Sequence, residues 1–226
     1  MSLKDLEAFG VSAYLAAKYA RTGCLVRLGP GPYRLPSPPL DRDQSLLVLQ
    51  ERVPGLHVAG RTALAWQGVR HNVEFTKRPA LWGAKPGPLP AWSAEVFPSR
   101  YRSAALFSPE VGDLGIFTPP VVTAGVRVST RERALVELLR DAGQGQDIEE
   151  AMHLFEGTTG LRTAVLSQLL SQCRRVKAVR MVLHWGEGVG NVDVDVLRRH
   201  STLPTGSNSR WLGTIDDGSI LVLPPC

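Results

Sequence analysis

The chain has 226 residues, 43% of them apolar and 21% charged, a composition that favours a folded globular protein and excludes a disordered one. Its formal net charge is +5, and residues 1–40 carry five Lys or Arg against two acidic residues, which favours a polyanionic partner for the N-terminal part. No apolar run approaches the ~18 residues that cross a bilayer and no signal peptide is recognisable, so we expect a cytoplasmic protein without a membrane partner.

The first 22 residues predict two short helices. Leu3, Leu6 and Phe9 are spaced to line one side of the first helix. Ser12 is a good N-cap for a second helix over about Ala13–Thr22, because its hydroxyl accepts a free backbone N–H.

Two apolar-rich strands are predicted next, at Cys24–Leu28 and Tyr33–Leu35, around the turn Gly29–Pro32. Helix, turn, helix and hairpin is the order of a winged helix-turn-helix. We therefore predict a shortened DNA-binding domain of this class over residues 1–38. The alternative is an ordinary solvated helix with a hairpin beside it.

The cations of this segment fall where DNA binding needs them. At 100° per residue, Tyr14, Lys18 and Arg21 share one face of the second helix, which suits a helix in a major groove. Arg27 and Arg34 lie on the strands, where guanidinium groups bind phosphate oxygens in pairs. The predicted DNA-binding residues are Ser12, Tyr14, Lys18, Arg21, Arg27 and Arg34.

The rest of the chain predicts a larger, mixed α+β domain over residues 39–226. The proline-rich segment Leu35–Leu40 is expected to be an extended linker, because three of its residues cannot occupy a helix interior. Beyond it, strands, then helices, then strands favour α+β over a doubly wound parallel sheet. The predicted strands include Ala94–Phe97, Val121–Val128, Val192–Leu197, Trp211–Ile215 and Ile220–Leu223, and the predicted helices include Asp43–Val53, Arg61–Gln67, Asp147–Glu156, Arg162–Cys173 and Val176–Gly186.

One helix start in this domain has a specific signature. Ser129 and Glu132 are spaced as a capping box, in which the side chain of each residue accepts a hydrogen bond from the backbone N–H of the other. The pattern predicts a helix that continues to Gly143.

Few residues of the sequence have the spacing of a catalytic site. If Val192–Leu197 is a strand, Asp193 and Asp195 point the same way and have the chemistry to hold Mg²⁺, as in a nucleotidyltransferase or nuclease. The other interpretation is the solvated face of a strand whose valines point inward. The histidines show no zinc-binding spacing and no GxSxG motif occurs, so we expect no enzyme, no metal and no cofactor.

A second basic cluster precedes and begins the helix near residue 176. Such a cluster is usually a solvated helix face, and the alternative is a second nucleic-acid contact surface. Its members are Arg174, Arg175, Lys177 and Arg180.

Several strings, in this order, resemble the AbiEi family of antitoxins from abortive-infection, type IV toxin–antitoxin pairs. Gly23–Tyr33 resembles the family's wing, and His57–Gly68 resembles its strand-to-helix motif. Val128–Leu139 is similar to its S-T-x-E-R-A helix, and Val176–Arg180 with Leu203–Arg210 to its C-terminal part. The resemblance runs nearly end to end.

The resemblance implies a winged helix that binds inverted repeats in the promoter of its own operon. It also implies a C-terminal domain that counteracts a nucleotidyltransferase-type toxin, without a stable complex between the two proteins. Family members usually carry a further helix before the first one predicted here. We therefore expect the apolar face of Leu3, Leu6 and Phe9 to pack on the larger domain or on a second subunit.

Overall fold

A computed structural model describes residues 1–36, 41–69, 78–103, 105–119, 125–200 and 202–225. Within these ranges the α-helices are α1 (Leu3–Ala8), α2 (Ala13–Arg21), α3 (Arg42–Arg52), α4 (Gly60–Trp66), α5 (Ala91–Val96), α6 (Arg131–Asp141), α7 (Ile148–Gly157), α8 (Thr163–Ser171), α9 (Val176–Val189) and α10 (Val194–His200). The strands are β1 (Val26–Arg27), β2 (Tyr33–Arg34), β3 (His57–Val58), β4 (Ala80–Trp82), β5 (Arg100–Arg102), β6 (Ile116–Phe117), β7 (Val128–Ser129), β8 (Trp211–Thr214) and β9 (Ile220–Leu223). The α+β class predicted from the sequence is confirmed.

The N-terminal unit consists of α1, α2 and the β1–β2 hairpin around a small apolar cluster of its own. Its buried members are Leu6, Ala16, Leu25 and Tyr33. The buried residues of the larger cluster run from Leu46 in α3 to Leu223 in β9. These separate clusters are the reason that we propose a domain division at residues 38 and 39.

A mixed five-stranded sheet in the order β5–β4–β3–β7–β6 forms the first layer of the larger domain. β3 runs antiparallel to β4 and parallel to β7, while β4 and β5 are parallel. β4 lies in a stretch rich in proline and glycine, and Pro79 and Gly83 flank the strand without interrupting it.

Helix α6 is the centre of the larger domain and packs on α4, α8 and α9. Eight consecutive residues of α6, from Glu132 to Leu139, are buried. A helix buried on every face has to bury charged side chains, and these need partners. None of the helices that the structure describes is long and apolar enough to span a membrane.

The predicted capping box at the start of α6 is wrong. Thr130 is the N-cap, and neither side chain of the predicted pair caps the helix. The Ser129 hydroxyl donates instead to the buried Glu137 carboxylate at 2.8 Å, while Glu132 accepts both Arg162 and the Thr130 hydroxyl. Partners outside the predicted pair have therefore replaced the predicted cap.

Two predicted strands are helices in the structure. Ala94–Phe97 falls largely in α5, which buries Trp92 and Ser93. Val192–Leu197 overlaps α10, so its alternating valines do not define a strand face. The predicted linker Leu35–Leu40 and the predicted strand Val121–Val128 lie partly outside the described residues.

Candidate nucleic-acid interface

Helix α2 presents the predicted groove-binding face to solvent. The Tyr14 side chain is 73% exposed, and Lys18 and Arg21 are also exposed. On the other side, Ala16 is fully buried in the N-terminal cluster and Tyr19 packs against that cluster. The helix therefore separates a packed face from a solvated aromatic and cationic face, as predicted.

The α2 N-terminus is formed as the sequence predicted. The Ser12 side chain accepts the Leu15 backbone N–H at 3.3 Å, while its own backbone is extended. This cap fixes where the helix begins and, with it, the position of Tyr14 in the first turn. Ser12 itself remains exposed.

The register of the hairpin separates the two wing arginines. Arg27 lies opposite Tyr33, and Val26 lies opposite Arg34. Because directly opposed residues share a face and neighbours alternate, Arg27 and Arg34 leave the hairpin on opposite faces. The Arg27 guanidinium lies near the turn and donates to the Gly29 carbonyl at 3.2 Å.

The tip of the wing rests on the larger domain. Leu28 packs against the large apolar cluster, and a Cβ built on Gly29 would lie 3.1 Å from the Cδ1 of Trp92. Trp92 is 7% exposed, and its indole Nε1 has no hydrogen-bond partner among the described residues. This contact, which local sequence patterns do not predict, ties the hairpin to α5.

The first helix is covered differently from the prediction. Leu6 is 3% exposed and packs, with Leu3, inside the N-terminal cluster and not on the larger domain. Phe9 is 77% exposed. Met1 exchanges two backbone hydrogen bonds of 3.1 Å with Tyr33, so the first residue extends the wing sheet beside β2.

The second predicted basic surface is only partly present. Arg174 and Arg175 are exposed. The Lys177 ammonium donates to the Ala142 carbonyl at 2.7 Å, and burial lowers the pKa of Lys177 to about 8. Arg180 is 2% exposed, so its assignment to a surface is wrong.

Arg180 instead holds the C-terminal segment in place. Its guanidinium donates to the carbonyls of Thr205, Ser207, Ser209 and Pro224. Five N–H donors in a rigid fork allow one arginine to satisfy several backbone acceptors at once. The position on the inner side of α9, which sequence spacing alone did not reveal, explains the burial.

Asp193 and Asp195 do not form the pair that a metal site requires. Asp193 precedes α10 and accepts the Val196 backbone N–H at 2.9 Å, which is the geometry of an N-cap. Asp195 lies within the first turn, where a two-residue spacing turns side chains about 200° apart. The described residues contain no cluster of three His, Cys, Asp or Glu side chains suited to a metal ion.

The most deeply buried titratable cluster surrounds Glu137. Its carboxylate accepts His57 Nε2 at 3.0 Å, Arg133 Nε at 3.1 Å and the Gly60 N–H at 3.1 Å. Burial acts to raise the pKa of Glu137, but His57 and Arg133 outweigh it and hold the pKa below its ordinary value. Since every partner belongs to the fold, this cluster connects α6 to β3 and α4.

A helix-turn-helix with an exposed, basic second helix and a hairpin beside it defines the class of winged-helix transcriptional regulators. A family described as the N-terminal domain of the transcriptional regulator, AbiEi antitoxin, matches residues 1–75. A second, described as the transcriptional regulator, AbiEi antitoxin, of a type IV toxin–antitoxin system, matches residues 76–221. The chain belongs to the AbiEi antitoxin family, as its sequence strings indicated.

Among solved structures, the chain is similar to the crystal structure of the RV2827C protein from Mycobacterium tuberculosis. The TM-score is 0.56 at 15% sequence identity, and the match covers 94% of this chain and 83% of that one. At this identity the likeness concerns the fold alone. A search of curated protein sequences finds no significant match.

Proposed function

We propose that this antitoxin-family regulator binds inverted repeats in its own promoter through α2 and represses its own transcription. The observation that carries the proposal is the solvated face of Tyr14, Lys18 and Arg21 on a helix without a single acidic residue. Lysine and arginine on such a face attract the phosphate backbone, and arginine reads guanine edges in the major groove. Promoter binding also implies a cytoplasmic site of action.

The two wing arginines have different roles in this proposal. Arg27 is exposed, whereas Arg34 is half-buried on the other face of the hairpin. We assign phosphate contacts to both residues, and because they leave opposite faces of the hairpin, we place the two contacts on separate strands of the DNA.

Fluorescence anisotropy with the chain's own promoter fragment and with a scrambled duplex tests this assignment. Arg21→Ala should weaken the specific complex by ~1–3 kcal/mol and blur its sequence preference. Arg27→Ala should weaken both complexes alike and reduce the log–log salt slope by roughly one. Arg199→Ala, an exposed arginine on α10, is the matched control and should change neither. Equal losses on both duplexes for Arg21→Ala would contradict groove reading.

The larger domain is proposed to counteract a nucleotidyltransferase-type toxin without catalysis and without a stable complex. The capping role of Asp193 and the divergence of Asp195 support the absence of a catalytic carboxylate pair. Co-expression with a neighbouring toxin gene, scored as growth rescue, tests the antitoxin activity. Asp193→Asn with Asp195→Asn should leave rescue intact, whereas loss of a Mg²⁺-dependent activity in a folded double variant would establish catalysis.

A further inference from the structure

A cleft in the larger domain collects arginine side chains at one edge of the five-stranded sheet. Arg78 lies just before β4, and Arg100 is the first residue of β5. Because β4 and β5 are parallel, with Ala80 paired to Arg100, their starts lie at the same edge. β3 is antiparallel to β4, so it ends at that edge and brings Arg61, in the first turn of α4, to the same place. All three arginines line the cleft.

The neighbouring carboxylates do not neutralise this cluster. Glu137 is fully occupied by its four buried donors, and Asp141 is paired with Arg102 and Arg140. Among the described residues, the one carboxylate that contacts a cleft arginine is that of Glu150, 3.4 Å from Arg61. Among the residues that the structure describes, no carboxylate is therefore paired with Arg78 or Arg100.

The two unpaired arginines differ in how they are held. Arg100 donates to the Gly145 carbonyl, which orients the guanidinium and leaves its charge uncompensated. Arg78 is exposed, and no hydrogen bond or ion pair holds its side chain within the part of the chain that the structure describes. One arginine is preorganised and the other is free to close on a ligand.

The floor of the cleft strengthens any charge interaction made there. Trp82 is 6% exposed and Leu138 is 2% exposed, and both line the cleft beside the arginines. An ion pair next to such apolar groups is less screened by water than one on an open surface. A planar guanidinium also matches two phosphate oxygens at once.

We propose that this cleft binds a phosphoryl group through Arg78 and Arg100, with Arg61 at its margin. The site lies in the larger domain and is separate from α2 and from the wing, so it is distinct from the proposed operator contacts. The phosphoryl group comes from one of two sources with the same chemistry, a free nucleotide or the backbone of a nucleic acid. The two sources are distinguished by experiment.

Isothermal titration calorimetry of the full chain with pyrophosphate and with ATP tests the first source. Arg78→Gln combined with Arg100→Gln should weaken binding by about tenfold or more, since each removes a charge-assisted hydrogen bond. Arg199→Gln removes the same charge from an exposed position on α10 and should leave the affinity unchanged. Equal weakening by the control would reduce the binding to non-specific charge and overturn the proposal.

The second source is tested with a duplex of unrelated sequence and an Arg21→Ala background, in which the proposed groove contact is absent. A further loss of about tenfold on adding the two cleft substitutions assigns the site to a nucleic-acid backbone. If the two cleft substitutions leave the affinities for pyrophosphate, ATP and the duplex all unchanged, the inference is wrong, whatever Arg21→Ala does to operator binding. If the double variant is not folded by circular dichroism, Arg78→Gln alone decides, because no described residue is a hydrogen-bond or ion-pair partner of its exposed side chain.

Discussion

The N-terminal unit and the core of the larger domain hold their charged side chains in opposite environments. In the unit, Lys18, Arg21 and Arg27 stay in water around a small core. In the larger domain, Glu137 and Arg180 are almost completely removed from water and are held by several hydrogen bonds each. Buried charges with full sets of partners fix one geometry, whereas solvated cations remain available to a partner molecule. The buried charges of the larger domain therefore form a rigid support, and the solvated cations of α2 and β1 form the surface proposed to recognise DNA.

Separating the N-terminal unit from the larger domain should have the largest effect on stability. A peptide of residues 1–40 has four buried apolar side chains and loses the support of Trp92 under its wing tip. A unit of about forty residues is below the size at which a core usually sustains itself. We expect an unfolded peptide by circular dichroism and amide dispersion. A cooperatively folded fragment would show that the contact with α5 is dispensable.

Removing a buried charge in the larger domain should cost most among single substitutions. Arg180→Met leaves the Thr205, Ser209 and Pro224 carbonyls without their donor, and we expect a loss of roughly 3–5 kcal/mol in the free energy of unfolding. Urea denaturation measures it. Arg175→Met, an exposed neighbour, should stay within ~0.5 kcal/mol. Similar values for both would mean that the guanidinium is not structural.

The ion pair of Glu132 predicts how stability changes with pH. Burial acts to raise the pKa of Glu132, but the hydrogen bonds from Arg162 and Thr130 prevail and lower the pKa from 4.5 to about 2. A lowered folded-state pKa gives stability that is complete above pH 4.5 and is lost as the pH falls towards 2.

We expect this contribution to be roughly 2 kcal/mol, since the Arg162 side chain is 59% exposed and partly screened. Glu132→Gln should flatten the acid limb of the stability curve measured by urea denaturation between pH 5 and pH 2. An unchanged slope in the variant would assign the acid sensitivity to other carboxylates, such as Glu137.

Local caps should contribute less than the buried charges. Asp193→Ala removes the acceptor of the Val196 N–H and should cost about 1 kcal/mol, whereas Asp193→Asn retains a capping oxygen and should be nearly neutral. Thermal unfolding of the two variants measures the difference. Equal destabilisation by both would indicate that the charge of Asp193, and not its cap, matters.

The smallest effect on stability is expected at the recognition surface. Arg21→Ala removes an exposed side chain and should change the free energy of unfolding by less than ~0.5 kcal/mol. The same variant is expected to lose specific DNA affinity, so recognition and stability separate in one residue. A marked fall in melting temperature would mean that the Arg21 side chain also stabilises the fold.

Much of the N-terminal unit was predictable because its determinants are close in sequence. Ser12 caps α2 through a residue three positions away, and the glycine and proline residues between Leu28 and Tyr33 define the hairpin turn. The exposed face of α2 follows from helical periodicity. In contrast, the cleft arginines come from three segments that meet only when the sheet forms, and their sequence neighbourhoods carry no shared motif.

The sequence by itself determined the elements whose stabilising contacts lie within one or two turns: the N-terminal helices, the hairpin, and the helices α7 to α9. Only the tertiary structure decided that Arg180 is buried and that Ser129 donates to Glu137 instead of capping α6. Each of these outcomes depends on a partner or a packing surface distant in the chain. Local propensity differences are at most about 1 kcal/mol per residue, so a buried hydrogen bond or a packed face outweighs them.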